Sequence, residues 1–134
     1  MAIRHVVTIQ VAPGKSAQFA RAFTALQVLT EQEEGCEQYE LFQSLDDPNK
    51  MVILERWASR LLLDKHMDGE RERNSHLIEA VVALWAPGTT PTIEHFEAEN
   101  WNLYGIRLVL SRTGLEHAPN SAGARTRCGM FGWV

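Results

Sequence analysis

The chain has 134 residues, of which 45% are hydrophobic and 22% charged, a composition typical of an ordinary soluble globular domain. Its formal net charge of -4 argues against a nucleic-acid partner, because a phosphate-binding face needs clustered lysines and arginines. Cys36 and Cys128 are too few for a disulfide framework and too isolated for a zinc site. No stretch approaches the ~20 apolar residues that span a bilayer, and no apolar leader begins the sequence, so we expect a cytoplasmic protein without a membrane partner.

The charges divide the chain into two parts. Residues 1–99 contain 9 Lys and Arg against 16 Asp and Glu, whereas residues 100–134 contain four arginines against Glu116 alone. We therefore predict a domain over 1–99 and a C-terminal extension over 100–134. The extension holds one apolar run and then a Gly, Ser, Ala, Pro and Arg-rich stretch typical of a loop or of disorder. It is either an arm that crosses to a partner subunit, a segment without fixed structure, or the product of a shifted reading frame.

The first half of the domain predicts a strand, a helix and a hairpin. Ile3–Val11 is rich in β-branched residues, and Ser16–Glu33 places apolar residues at helical spacing. Apolar side chains alternate with a period of two in Cys36–Leu45 and again in Met51–Trp57. Between them lies Asp46–Asn49, which is dense in turn-forming residues. These two segments are expected to pair as antiparallel strands.

The second half predicts two helices and a final strand. The first helix carries Leu61 to Met67 and is expected to end at Asp68-Gly69. The run Glu70–Arg73 is interpreted as a solvent-exposed, self-compensating charged face. Ser75–Ala86 then suits a second helix, and Thr92–Phe96 a short strand. The order βαββαβ is that of the ferredoxin-like α+β fold, with helices on one face of an antiparallel sheet.

Large apolar side chains occur at both parities of the predicted strands. Adjacent pairs such as Val6-Val7, Leu41-Phe42 and Ile53-Leu54 place apolar residues on both faces of the sheet. Helices cover only one face, and burying an aliphatic side chain is worth roughly 1.5–3 kcal/mol, so the second face needs a cover. We expect a homodimer or higher homo-oligomer packed sheet to sheet. A pocket for an apolar or aromatic small molecule is expected between the helix-covered face and the second helix, near Trp57 and His66.

The order and spacing of several short motifs over residues 3–67 are distinctive. They are, in chain order, Val11-Ala12-Pro13-Gly14-Lys15, Glu34-Gly35-Cys36, Tyr39-Glu40-Leu41, Asp46-Asp47-Pro48, Glu55-Arg56-Trp57, and Leu63 followed by His66. On these motifs the chain resembles the antibiotic biosynthesis monooxygenase domain of the dimeric α+β barrel superfamily. Here the helix that follows His66 is lengthened before His76, and the extension has no counterpart in a typical short member.

The resemblance implies an oxygenase that uses no cofactor and no metal. Such enzymes oxidise quinols, anthrones and related polyketide aromatics with O2, because a deprotonated phenol or enol reduces dioxygen directly. The protein then needs an apolar pocket, a proton acceptor and groups that stabilise the anion. The sequence is consistent with this, since it contains no phosphate-binding glycine loop, no GxGxxG fingerprint and no His-x-x-x-His pair.

The resemblance also implies two functional residues, and the position of Glu55 on the same strand makes it a third catalytic candidate. His66 corresponds to the family's helix histidine, which acts as a general base or as an anion-stabilising donor. Trp57 corresponds to an aromatic wall of the pocket, and Glu55 lies on the same strand face, where it orients an imidazole or pairs with an arginine. The alternatives are a core tryptophan, a histidine with a structural hydrogen bond and a structural ion pair.

Four further residues are weaker candidates for the substrate pocket. These are Tyr39, Val7, His5 and His76. A tyrosine in an alternating strand also serves simply to pack, and His76 is expected to be exposed. Cys36 is assigned no redox role.

Two other functions remain open from the sequence. Haem degradation, found in another branch of the superfamily, uses an asparagine on the first strand, and Ile3–Val11 contains none. A non-catalytic small-molecule binder or a small-metabolite isomerase of the same fold would use the same pocket, because fold does not determine chemistry.

Overall fold

The computed structural model describes residues 1–99, which form four strands and three helices. The predicted extension over 100–134 lies outside the described residues. In chain order the elements are β1 (Ala2–Gln10), α1 (Ser16–Thr30), β2 (Cys36–Gln43), β3 (Lys50–Trp57), α2 (Arg60–Glu72), α3 (Ser75–Val82) and β4 (Thr92–Ala98).

The four strands form one antiparallel sheet in the order β2-β3-β1-β4. The predicted ferredoxin-like α+β fold is therefore confirmed. Its register sets the geometry of the site, because His5 of β1 lies opposite Glu55 of β3 on one side and His95 of β4 on the other. Side chains at these three positions share the same face of the sheet.

The helices pack on the face that carries the odd-numbered residues of β1 and β3. Phe19, Phe23 and Leu26 repeat along one side of α1 and pack against Val7 and Ile53 in the main core. This spacing of three and four residues is the helical period seen in the sequence. A smaller cluster at the end of β3 contains Ile3, Trp57 and Leu63.

The predicted end of the second helix at Asp68-Gly69 is wrong, because α2 continues to Glu72. A single glycine costs a helix only about 1 kcal/mol, and the buried Leu63 and His66 in the preceding turns hold α2 against the sheet. Gly69 is itself buried, and the guanidinium of Arg73 occupies the space that a Cβ at this position would need.

The opposite face of the sheet mixes apolar and charged side chains. Its large apolar residues are Val6, Phe42, Val52, Leu54 and Phe96. Phe42 and Phe96 remain 45% and 46% exposed, whereas Val6, Val52 and Leu54 are half-buried. Arg4, Glu40 and Arg56 lie among them. No helix of the described chain covers this face.

Gly35, between α1 and β2, is expected to be intolerant of a side chain. Its φ is +85°, and a Cβ there would overlap Leu62 of α2. Gly35→Ala should lower the free energy of unfolding by about 2–4 kcal/mol, since backbone strain and overpacking add. Gly14→Ala is the matched control, because Gly14 has φ +78° but open space around it. Equal losses in chemical denaturation would contradict the proposed contact with Leu62.

Candidate functional site

Trp57 and His66 form the buried centre of the candidate site. Trp57 ends β3 with its side chain on the helix-covered face, and the His66 ring stacks on it with centroids 4.5 Å apart and planes inclined by 28°. Both side chains are almost completely buried, at 0% and 1% exposure. The start of α2 is set by Ser59, whose hydroxyl accepts a hydrogen bond from the Leu62 amide, so His66 falls two turns into the helix.

Both ring nitrogens of His66 face carboxylates. Nδ1 lies 3.0 Å from Oε2 of Glu33 and Nε2 lies 3.3 Å from Oε1 of Glu70, which also accepts a hydrogen bond of 3.4 Å from the Tyr39 hydroxyl. The interpretation of Glu70 as part of a solvated charged face is therefore wrong. It follows His66 by four residues, which brings the two side chains together on the inner side of α2.

The surroundings favour the charged form of His66. Burial by itself lowers the pKa of this imidazole, but the hydrogen bond and charge of Glu70, with the charges of Glu33 and Glu55, raise it overall. An imidazolium donates from both nitrogens and has no lone pair with which to accept a proton. This geometry argues against the general-base role expected for His66, and because its two N–H groups face Glu33 and Glu70, it does not favour direct donation to a substrate anion either.

Tyr39 stays a neutral phenol in this setting. Burial raises the pKa of its hydroxyl, and the neighbouring charge of Glu70 raises it further. Its ring meets His66 edge-on at 5.7 Å and stacks on Phe23 at 5.2 Å. The tyrosine thus both packs in the core and positions Glu70.

Glu55 precedes Trp57 by two residues on the same face of β3. Its Oε2 accepts a hydrogen bond of 3.2 Å from Nε1 of Trp57 and lies 3.8 Å from Nδ1 of His5. Burial raises the pKa of the Glu55 carboxyl, although the charge of His66 and the Trp57 hydrogen bond oppose this shift. Glu55 thus orients the indole of Trp57 and lies next to the imidazole of His5.

An open cleft of about 480 Å³ lies between α2 and the β1–β4 side of the sheet. Its lining residues are His5, Arg60, Leu63, Asp64, Met67, Asp68, Arg71 and His95. Leu63 belongs to the buried cluster with Ile3 and Trp57, and Met67 packs against that cluster. The cleft is therefore next to the second helix, where a pocket was expected, but Trp57 and His66 are buried and do not line it.

A second, smaller opening of about 250 Å³ lies between α2 and α3. It is lined by Met67, Glu70, Arg71, Ser75, Ile78 and Glu79. Glu70, which lines this groove, lies 3.3 Å from Nε2 of His66.

The other candidate residues lie apart from this centre. Val7 is in the main core, and His76 is exposed in the first turn of α3. Cys36 is half-buried, and burial followed by the charge of Glu33 raises the pKa of its thiol to about 11, which leaves it an unreactive thiol.

Sequence reasoning missed three residues of the site: Glu33, Glu70 and His95. Glu70 could have been found from its spacing of four from His66. Glu33, in the segment after α1, meets His66 of α2 only through the tertiary fold, and His95 is brought beside His5 by the pairing of β4 with β1.

Over residues 1–99, no three His, Cys, Asp or Glu side chains converge as metal ligands would. None of the three helices is long and apolar enough to cross a bilayer.

The fold and the buried histidine–tryptophan centre together define a small α+β domain of ferredoxin-like topology. Residues 2–76, more than half of the chain, match the model of one family, described as antibiotic biosynthesis monooxygenase. The protein belongs to the antibiotic biosynthesis monooxygenase family. None of the curated proteins compared matches the chain.

Several solved structures have the same fold. A conserved protein from Methanosarcina mazei is 27% identical, with a TM-score of 0.65 over 74% of this chain and 94% of its own. A protein from Caulobacter crescentus, named as a candidate antibiotic biosynthesis monooxygenase, is 28% identical with a TM-score of 0.65 over 74% of this chain and 91% of its own. A protein from Nitrosomonas europaea with a similar name is 18% identical, with a TM-score of 0.66 over 75% of this chain and 92% of its own, and supports the fold alone.

Proposed function

We propose that the protein is a cofactor-independent monooxygenase that oxidises a small hydroxylated aromatic, of the hydroquinone or anthrone type, with O2. The observation that carries this proposal is the cleft beside α2. Its volume of about 480 Å³ suits a molecule of that size, Leu63 and Met67 supply apolar contacts among four charged side chains, and two imidazoles, His5 and His95, border it. Membership of the monooxygenase family supports the same chemistry.

The chemistry balances without an added reductant. When the methylene group of an anthrone becomes a carbonyl, it loses four electrons, and these reduce O2 to the new carbonyl oxygen and one water. Removal of a proton first turns the substrate into an electron-rich enolate that passes an electron to O2. The protein must therefore accept a proton and stabilise the resulting anion.

Arg60 and Arg71 line the cleft and are the cations placed to stabilise the anion, whereas the His66 imidazolium is buried and balanced by Glu33 and Glu70 at 3.0 and 3.3 Å. Trp57 stacks on that imidazolium. Neither the Trp57 side chain nor the His66 side chain reaches the cleft directly.

Oxygen uptake with a panel of anthrones and hydroquinones tests the proposal. Met67→Trp, which fills the cleft, should lower kcat/KM at least about tenfold for any active substrate, equivalent to about 1.4 kcal/mol. Leu61→Trp is the control, because Leu61 lies on α2 at 75% exposure and outside the cleft. No uptake with any compound, or equal losses in both variants, would refute the proposal.

A non-catalytic binding protein is the second candidate. The observation in its favour is that Trp57 and His66 are buried and do not line the cleft, so the cleft can hold a ligand without exposing either to it. An aromatic ligand would then raise the melting temperature without oxygen uptake, since any ligand of the native state stabilises it.

We also propose that two copies pair through the helix-free face of the sheet. Val6 and Leu54 lie opposite each other near its middle, and Phe42 and Phe96 extend the apolar area to both edges. Such a patch is stabilised by an identical one on a second copy.

The pairing predicts a dimer at micromolar concentration in sedimentation or size-exclusion measurements. Leu54→Asp should shift the protein to monomer, because it places charges at the centre of the interface. Val28→Asp, on the exposed side of α1 at 52% exposure, should remain dimeric. Circular dichroism checks that both variants are folded. A monomeric native protein would contradict the pairing.

A further inference from the structure

A line of side chains connects the buried Glu55 to the protein surface. His5 lies 3.8 Å from Glu55 through Nδ1 and 3.0 Å from Nδ1 of His95 through Nε2. His95 in turn lies 3.1 Å from Oε1 of Glu97 through Nε2, and the Glu97 side chain is 38% exposed. The line follows the sheet register, since His5 pairs with both Glu55 and His95.

The end of this line determines where its protons lie. A Glu97 carboxylate only accepts, so Nε2 of His95 carries the hydrogen and Nδ1 of a neutral His95 is a lone pair. That lone pair accepts from Nε2–H of His5, which leaves Nδ1 of His5 unprotonated. The hydrogen positions follow from this network.

The groups around His5 favour its neutral form. Burial lowers the pKa of His5, and so do His95 on β4 and Arg60 and His66 on α2; Glu55 on β3 faces its free nitrogen. His5 therefore has the lone pair that His66 lacks, and unlike His66 it lines the cleft.

We propose that His5 is the proton acceptor of the cleft, and that His95 and Glu97 relay the proton towards solvent. The O–H or C–H bond of the substrate breaks and an N–H bond forms at Nδ1 of His5, while the electron pair stays on the substrate. Nε2–H of His5 passes its proton to Nδ1 of His95, and Nε2–H of His95 passes its own to Glu97. This assignment rests on the proposed oxygenase function.

The relay also returns the proton to the cleft. Reduction of O2 to water consumes the protons taken from the substrate, so the same line, run backwards, restores the starting tautomers. Glu55, 3.8 Å away, accepts a hydrogen bond from the newly protonated Nδ1 after a small displacement of the ring. His66 takes no part in these transfers.

Nitrogen NMR of the imidazoles tests the relay without turnover. The expected result is the Nε2–H tautomer for both His5 and His95 in the native protein, and loss of that preference in Glu97→Gln, whose amide can donate as well as accept. Glu94→Gln is the control, because Glu94 lies on the same strand but on the opposite face. An Nδ1–H tautomer at His5, or identical spectra for the two variants, would overturn the proposal.

Kinetics provide the second readout. With a substrate that supports oxygen uptake, Glu97→Gln should lower kcat with KM unchanged and recover with added imidazole buffer, while His5→Asn should lose roughly 100-fold, the low end for a positioned base. If uptake occurs and Glu97→Gln matches Glu94→Gln, the relay is wrong and the oxygenase function stands. If no substrate is oxidised, the oxygenase function fails. The NMR tautomers of His5 and His95 then still test the hydrogen-bonded line from His5 to Glu97.

Discussion

Replacing Trp57 with alanine is expected to lower the free energy of unfolding by about 3–5 kcal/mol, as for other buried aromatic side chains. Trp57 is completely buried, packs against Ile3 and Leu63, and stacks on His66. Its removal leaves a buried cavity and deprives Glu55 of a hydrogen-bond donor. Chemical denaturation of the two proteins measures the loss.

Trp57→Phe separates packing from hydrogen bonding. The phenyl ring keeps most of the contact with His66 but cannot donate to Glu55, so the expected loss is about 1–3 kcal/mol. The pKa of Glu55 should rise further, because the Trp57 hydrogen bond lowers it in the native protein. A loss below about 1 kcal/mol for Trp57→Ala would show that the site relaxes around the cavity.

His66→Leu is expected to cost about 3 kcal/mol, because it leaves Glu33 and Glu70 without the cation between them. The loss should depend on pH. Since the folded protein raises the pKa of His66 above 6.5, its stabilising charge is fully present below that pH and disappears as the pH rises through the folded pKa. The stability gap between native protein and variant should therefore narrow towards alkaline pH.

A double-mutant cycle isolates the ion pair. Combining His66→Leu with Glu70→Gln should recover part of the loss, with a coupling of about 1–3 kcal/mol between the two positions. The exposed pair Arg71–Asp68, at 2.9 Å on the same helix, is the control and should couple by less than about 1 kcal/mol. A gap between native protein and His66→Leu that does not change with pH would show that His66 is uncharged.

Local patterns in the sequence predicted most of the fold. The spacing of Phe19, Phe23 and Leu26 predicted a helix, and the alternation around Ile53 predicted a strand. Each pattern arises because one face of the element packs against the core. The length of α2 was missed at Gly69. There, the packing of Leu63 and His66 outweighed a helix-breaking tendency of about 1 kcal/mol.

The site was only partly predictable. Family motifs identified Trp57, Glu55 and His66, and these three do lie together. Their absence from the lining of the cleft depends on how α2 packs against the end of β3, which no local pattern encodes. Glu33 and His95 meet the site only through long-range packing and strand pairing, so their side chains could not be placed from spacing alone.

We propose that the cleft beside α2 binds the aromatic substrate and that O2 then oxidises it there. Its most direct test is an anaerobic NMR titration with a hydroquinone or anthrone, followed by admission of O2. We predict saturable shift changes confined to residues around the cleft, such as Leu63, Met67 and His95, and formation of the oxidised product once O2 enters. Changes on the helix-free face of the sheet, or a bound ligand that survives oxygen unchanged, would contradict the account.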